Sequence, residues 1–174
     1  TGDTGTSLLF GSPKRIPKQS PCFEALGTVD ELNSLLGVCR ARVSPAGDLP
    51  LSDMLIASQE CLYIIQAELA GAPKSIQPEH LTNLEAAIAQ LEACTLAPHA
   101  FVISGATEFS ALCDYARTVA RRAERIVWGL HESVPLSAPT LAYLNRLSSF
   151  LYALARYAAH IEGTEEVSPS YGMI

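Results

Sequence analysis

Apolar residues recur at intervals of three and four along five segments of the chain, which is the spacing of one face of an α-helix. The first segment begins at Ser20 and Pro21, which suit an N-cap and a first helical position, and runs to about Val43. The second spans about residues 51–70, and the third begins at Pro78. The pattern therefore predicts three helices that begin in the first half of the chain.

Two longer helices follow by the same reasoning, one from about Thr107 to His131 and one from about Thr140 to Glu162. The alternating polarity that marks β-strands is nearly absent. Five helices with short connections predict an all-α fold, a five-helix bundle of the ferritin-like up-down kind.

The length of 174 residues suits one domain, so we expect residues 1–174 to form a single unit. Within it we expect an N-terminal loop over residues 1–19, the helical bundle over 20–164 and a tail over 165–174. No apolar run reaches the roughly 18–20 residues that cross a bilayer. The net charge of −6 argues against duplex nucleic acid as a partner, because such proteins carry broad basic surfaces.

The five cysteines are scattered, odd in number and never in C-x-x-C spacing. This favours buried free thiols in a reducing compartment, which is the cytoplasm or, in a eukaryote, the mitochondrial matrix. The chain begins at Thr1 without a methionine, so a targeting segment stays open. No histidine has a glutamate three residues before it, and zinc spacing is missing, so we predict no metal site built from side chains.

Four arginines lie close together in the fourth predicted helix, and three of them, Arg117, Arg121 and Arg125, fall on one face. Like charges at this spacing repel, each pair costing a helix roughly 0.2–0.5 kcal/mol. One interpretation is a solvated face on which Glu124 pairs locally with Arg121. The other is a polyphosphate site, because the planar guanidinium matches phosphate oxygens two at a time. In an acidic chain the spacing favours the second.

Four further segments carry candidate chemistry. Residues 1–7 are rich in glycine and hydroxyl side chains, which suits either a backbone nest for an anion or a flexible polar terminus. In the first helix, Asp30 and Glu31 could both be ordinary surface acids, which is the favoured interpretation for Glu31, whereas Asp30 could instead anchor an arginine. Phe101 precedes the fourth helix, where such residues are usually core. The fifth helix carries a polar stripe, either solvated or part of a site: Asn145, Ser149, Tyr152 and Arg156.

Taken together, these segments resemble the PduO-type ATP:corrinoid adenosyltransferases, the family that makes adenosylcobalamin. The matching blocks, in the family's order, are Thr1–Thr6, Ala25–Gly37, Phe101–Gly105, Ala116–Arg125 and Leu144–Ala158. The resemblance implies a homotrimer that binds ATP between subunits, with Mg²⁺, and transfers its 5′-deoxyadenosyl group to Co(I) of cobalamin or another corrinoid. It also implies a reductase and an acceptor enzyme as partners, and neither nucleic acid nor membrane.

The resemblance also implies roles for individual residues. The N-terminal loop would wrap the triphosphate through Thr1, Gly2, Asp3, Gly5 and Thr6. Lys18 would add positive charge, Arg121 and Glu124 would contact ATP from the fourth helix, and Asn145 and Arg146 would do so from the fifth. Asp30 would pair with Arg117 across the subunit boundary. Phe101 would lie under the corrin ring and crowd out the lower ligand of cobalt.

The chain differs from the family pattern near the expected corrin pocket. Ser104-Gly105-Ala106 stands where the family usually has Pro-Gly-Gly, Ser149 replaces an acid, and Tyr152 replaces a phenylalanine. Two alternatives to an enzyme stay open. One is a corrinoid carrier or nucleotide sensor of the same fold without turnover, and the other is a structural bundle whose arginines face an acidic partner protein.

Overall fold

The computed structural model describes residues 4–95 and 101–171, and five helices make up most of this part of the chain. In chain order they are α1 (Pro21–Arg40), α2 (Leu51–Leu69), α3 (Pro78–Ala93), α4 (Glu108–His131) and α5 (Ala138–Ile161). The prediction of an all-α five-helix bundle is confirmed.

Two short antiparallel strands precede the first helix, β1 (Thr6–Ser7) and β2 (Ile16–Pro17). Thr6 lies opposite Pro17, and Ser7 lies opposite Ile16. The sequence pattern predicted only loop here. A two-residue strand is too short to show an alternating pattern, so this hairpin was not visible in the hydrophobic periodicity.

The helix ends differ from the predicted ones by a few residues. α1 ends at Arg40, because the amides of Arg42 and Val43 donate hydrogen bonds to the carbonyls three residues earlier, at 3.0 and 3.3 Å, as in a 3₁₀ turn. α5 begins at Ala138 because the Ser137 hydroxyl caps it, accepting a hydrogen bond from the Thr140 amide at 3.4 Å.

The core forms where α4 packs against α1 and α5, with α2 covering α1 and α3 covering α5. α2 and α3 touch each other little. Leucines and isoleucines from all the helices fill the centre, including Leu32, Leu36, Leu62, Ile65, Leu91, Leu147 and Leu151. Within the described ranges, none of the helices combines the length and hydropathy needed to span a membrane.

Small side chains lie between α4 and its neighbours. Ala116, Ala120 and Ala123 of α4 are fully buried, and so are Ala155 and Ala158 of α5. Alanine at such positions lets helix axes approach closely, so long side chains at the edge of the contact reach across it. The polar groups described next lie along this edge.

Candidate active site

Three arginines from two helices converge on one cavity of about 320 Å³ at the edge of the α4–α5 contact. Arg117 and Arg121 come from α4, one turn apart, and Arg146 comes from α5. The other lining residues are Glu92, Ser148, Ser149 and Tyr152. The cavity is therefore cationic, with hydroxyl groups and one carboxylate at its border.

The three arginines differ in how their charges are already satisfied. Arg117 Nε lies 3.4 Å from Asp114 Oδ1, and Arg146 Nε lies 3.6 Å from Glu85 Oε1. Arg121 is exposed and has no carboxylate partner within residues 4–95 and 101–171. An unpaired guanidinium beside two others is suited to bind an anion with several oxygens, such as a polyphosphate.

Glu124 and Asn145 join the same two helices beside the cavity. Asn145 Nδ2 donates to Glu124 Oε1 at 2.8 Å. The local pair between Glu124 and Arg121, which was part of the solvated-face interpretation, does not form among the described residues. The hydrogen bond instead fixes two residues that the resemblance assigns to ATP contact, with one carboxylate oxygen of Glu124 left for another donor.

The other two arginines of the cluster point elsewhere. Arg125 is exposed and does not line the cavity, so the predicted column of three guanidiniums contributes two to the site. Arg122 Nη2 binds Glu31 Oε2 at 2.5 Å, which joins α4 to α1. Glu31, interpreted from sequence as an ordinary surface acid, is thus exposed but paired. This pairing depends on how α1 and α4 pack, which the helical pattern alone does not specify.

Asp30 is exposed on α1 and meets Gln66 of α2, whose Nε2 donates to Asp30 Oδ1 at 3.4 Å. It has no ion pair with an arginine in the described part of its own chain. The predicted pairing with Arg117 joins different subunits, so it stays a prediction.

The N-terminal hairpin is held together by its own backbone and by one arginine. The Lys18 amide donates to the Gly5 carbonyl at 2.9 Å, and Gly5 has φ +73°, a conformation that favours glycine. Arg15 Nη2 donates to the Thr6 carbonyl at 2.6 Å, and its Nε donates to the Thr6 hydroxyl at 2.9 Å. The described hairpin residues do not line the arginine cavity of their own chain. Thr1, Gly2 and Asp3 lie outside the described residues.

Phe101 begins the segment that leads into α4, and its side chain is 79% exposed. The usual interpretation of such a residue as core is therefore wrong here. The amide of Ile103, two residues later, donates to the carbonyl of Val167 at 2.8 Å. A large exposed aromatic ring is a surface suited to a flat apolar ligand.

A largely buried ion network is connected to the cavity through Arg117 and was not predicted. Arg156 Nη2 binds Asp114 Oδ2 at 2.5 Å, and Arg156 Nε lies 2.6 Å from Glu166 Oε1. The Arg156 and Asp114 side chains are only 6% and 4% exposed. Burial by itself would lower the pKa of Arg156, but the two carboxylates outweigh it and raise that pKa. Asp114 also contacts Arg117, so the network reaches the cavity.

Residues 1–158, most of the chain, match the sequence model of a family described as cobalamin adenosyltransferase. The chain belongs to the cobalamin adenosyltransferase family. It is 40% identical to the corrinoid adenosyltransferase PduO of Salmonella typhimurium, over 90% of this chain and 47% of that protein. It is 36% identical to the corrinoid adenosyltransferase MMAB of Homo sapiens, over 95% of this chain and 70% of that protein. The chain thus spans about half the length of the PduO proteins of Salmonella typhimurium and Citrobacter freundii.

Solved structures agree with the family assignment. A PduO-type ATP:corrinoid adenosyltransferase from Lactobacillus reuteri, in a phenylalanine-to-alanine variant complexed with cobalamin and ATP, superposes with a TM-score of 0.91. It is 28% identical, over 98% of this chain and 97% of that one. An arginine-to-lysine variant complexed with ATP gives a TM-score of 0.89 at 29% identity, over 97% of each chain.

Within this adenosyltransferase fold, the structure brings together Arg117, Arg121 and Arg146 around one cavity, with Glu124 and Asn145 bonded beside it. It does not bring Lys18, Gly5 or Asp30 to that cavity within one chain. Sequence reasoning placed Arg156 on a polar stripe, either solvated or part of a site, and missed Asp114 and Glu166. The one available signal was an acid three residues before Arg117, on a helix whose neighbouring positions are apolar.

Proposed function

We propose that this chain transfers the 5′-deoxyadenosyl group of ATP to Co(I) of cobalamin or a related corrinoid. The electron pair of Co(I) attacks the 5′ carbon, the cobalt–carbon bond forms, and the bond from that carbon to oxygen breaks. The electron pair of the broken bond leaves with triphosphate. Membership of the family and the substrates named for its solved members support this reaction.

The observation that carries the proposal is the convergence of Arg117, Arg121 and Arg146 on one cavity, with Arg121 unpaired among the described residues. Negative charge develops on the departing triphosphate, and preorganised cations that receive it lower the barrier. No proton moves in the transfer step, so the reaction requires no general base. The main tasks of the protein are to align cobalt with carbon and to stabilise the leaving group.

Glu124 and Asn145 would hold the nucleoside end of ATP through the amide oxygen of Asn145 and the free oxygen of Glu124. The described residues contain no group of three side chains that could hold a metal ion. Mg²⁺ would therefore arrive bound to the triphosphate, as Mg-ATP, and neutralise part of its charge.

Phe101 would lie against the lower face of the corrin ring and exclude the axial ligand there. Its 79% exposure gives the required open apolar surface, and Tyr152 at the cavity border offers a second aromatic ring. Loss of a lower donor makes Co(II) easier to reduce to Co(I), because the orbital that receives the electron is no longer raised in energy.

The active unit would be a homotrimer with ATP between subunits. The N-terminal hairpin of one subunit, with Thr1, Gly2, Asp3 and Lys18, would enclose the triphosphate held by its neighbour's arginines. Asp30 would bind Arg117 of that neighbour. Asp30 is exposed, and the described hairpin residues do not line the cavity of their own chain; both observations support this exchange between subunits.

The reaction would also require partner proteins. Co(I) requires an electron donor, so a reductase would supply it, and an adenosylcobalamin-dependent enzyme would take the product. The compartment would be the cytoplasm, or the mitochondrial matrix in a eukaryote.

One anaerobic assay tests the proposal. Protein, Mg-ATP and chemically reduced cobalamin are mixed, and the cobalt spectrum is followed while triphosphate is measured. We expect adenosylcobalamin and triphosphate in equal amounts, over many turnovers. A protein that binds both substrates but forms no cobalt–carbon bond would be a carrier or sensor, and the proposal would be wrong.

A further inference from the structure

The residues after α5 form a tail, residues 163–171, without regular structure. The chain turns at Gly163, where φ is +65°. Two contacts then fix the tail beside the site: the carboxylate of Glu166 lies 2.6 Å from Arg156 Nε, and the carbonyl of Val167 accepts from the Ile103 amide at 2.8 Å. The second contact lies two residues from Phe101.

Arg156, the partner of the Glu166 ion pair that belongs to the helical bundle, is held rigidly. Arg156 lies in the middle of the last half of α5, is almost fully buried, and binds Asp114 of α4 at 2.5 Å. Its guanidinium also lies over the ring of Tyr152, 5.0 Å from the ring centre. Because α4 and α5 share the core, this guanidinium is a fixed point against which a mobile segment can be positioned.

Glu166, the partner of the ion pair that belongs to the tail, is held less firmly than Arg156, and its side chain determines where the tail lies. The Glu166 carboxylate is 18% exposed, and the pair with Arg156 Nε is held by charge, since its geometry is not that of an aligned hydrogen bond. The Ile103–Val167 bond is the one backbone hydrogen bond recorded between the described part of the 101–106 segment and the tail. Loss of the carboxylate charge should release the tail and, with it, this bond.

We propose that Glu166 and Arg156 are positioning residues for Phe101: their ion pair holds the tail against the backbone that carries this ring. The inference rests on the proposed function, in which Phe101 lies against the corrin. It makes the tail part of the corrinoid site, although the tail lies outside the arginine cavity. The same network contacts Arg117 through Asp114, so the two substrate regions share one ionic scaffold.

The test compares Glu166→Gln with Glu165→Gln. Glu165 is exposed, adjacent and without an ion pair among the described residues, so the control makes the same charge change. Arg156 keeps Asp114 in both variants, and we expect both to fold. For Glu166→Gln we expect amide exchange at Ile103 to rise about tenfold, because the tail opens locally more often.

For the same variant we expect the corrinoid KM to rise about tenfold while ATP affinity stays within about twofold of the wild type. In the Phe101→Ala background, adding Glu166→Gln should cause no further rise in the corrinoid KM, because the ion pair affects the corrinoid through the Phe101 ring. The inference would be overturned by unchanged amide exchange at Ile103 or by an unchanged corrinoid KM in Glu166→Gln. It would also be overturned if Glu166→Gln raised the corrinoid KM equally in the wild type and in the Phe101→Ala variant. If the wild type forms no adenosylcobalamin, the proposed function fails, whereas exchange at Ile103 still decides whether Glu166 holds the tail.

Discussion

Arg121→Ala removes the one cavity arginine that has no carboxylate partner among the described residues. Its side chain is exposed, and its neighbours in the core, Ala120 and Ala123, are unaffected by the change. Alanine also has the highest helix propensity, so α4 should form at least as well. The variant therefore isolates the contribution of one guanidinium to the reaction.

The size of the effect follows from the contacts that remain. Arg117 and Arg146 still line the cavity, so the triphosphate keeps part of its positive surroundings. A hydrogen bond to a charged group contributes about 1.5–3 kcal/mol, which corresponds to roughly a 10- to 150-fold loss in kcat/KM. We expect the Kd for ATP to rise, because the guanidinium binds the triphosphate before transfer. We also expect kcat to fall, because the guanidinium interacts more strongly with the negative charge that develops on the triphosphate during transfer.

The assay is anaerobic turnover with reduced cobalamin, together with calorimetry for ATP and circular dichroism for helix content. Arg125→Ala is the matched control, since Arg125 lies one turn further along α4, is exposed and does not line the cavity. We expect this control to keep kcat/KM within about twofold. Near-normal turnover in Arg121→Ala with intact helicity, or equal losses in both variants, would refute the assignment of the cavity to the triphosphate.

Three further changes test other parts of the account. Asp30→Arg should lower the mass measured by light scattering from about three times 18.6 kDa, whereas Asp53→Arg on α2 should not; an intact trimer would contradict the proposed subunit contact. Phe101→Ala should lose the spectrum of four-coordinate Co(II) but keep ATP binding, and a retained spectrum would argue against its role. Burial raises the pKa of Tyr143 well above its ordinary value, so the unfolded chain loses this proton first as pH rises. The contribution of Tyr143 to stability should therefore hold below about pH 10 and fall above it, and equal urea unfolding at pH 8 and 11 would contradict this.

The helices could be predicted because each has a continuous apolar face and a recognisable beginning. Pro21 and Pro78 lie at helix starts, and the Thr107 and Ser137 hydroxyls cap α4 and α5. The end of α1 was less certain, because residues 41–43 continue as a turn with helix-like backbone bonds. Periodicity fixes which residues are inside, and local capping fixes where a helix begins.

The site was predictable only in part, because its ion pairs depend on which helices are neighbours. The repulsive spacing of Arg117 and Arg121 is local, so the sequence alone could favour an anion site over a solvated face. The Arg156–Asp114 pair joins residues 42 positions apart, and Glu166 reaches it from beyond the last helix. Such contacts follow from the packing of α4 on α5, which the pattern of a single helix does not contain.

The structure of this protein with Mg-ATP tests the central claim most directly. We predict the triphosphate in the α4–α5 cavity, with Arg121 within hydrogen-bond distance of its oxygens and the N-terminal hairpin of a neighbouring subunit closed over it. Nucleotide bound at another place, with the Arg121 guanidinium in bulk solvent, would contradict the account.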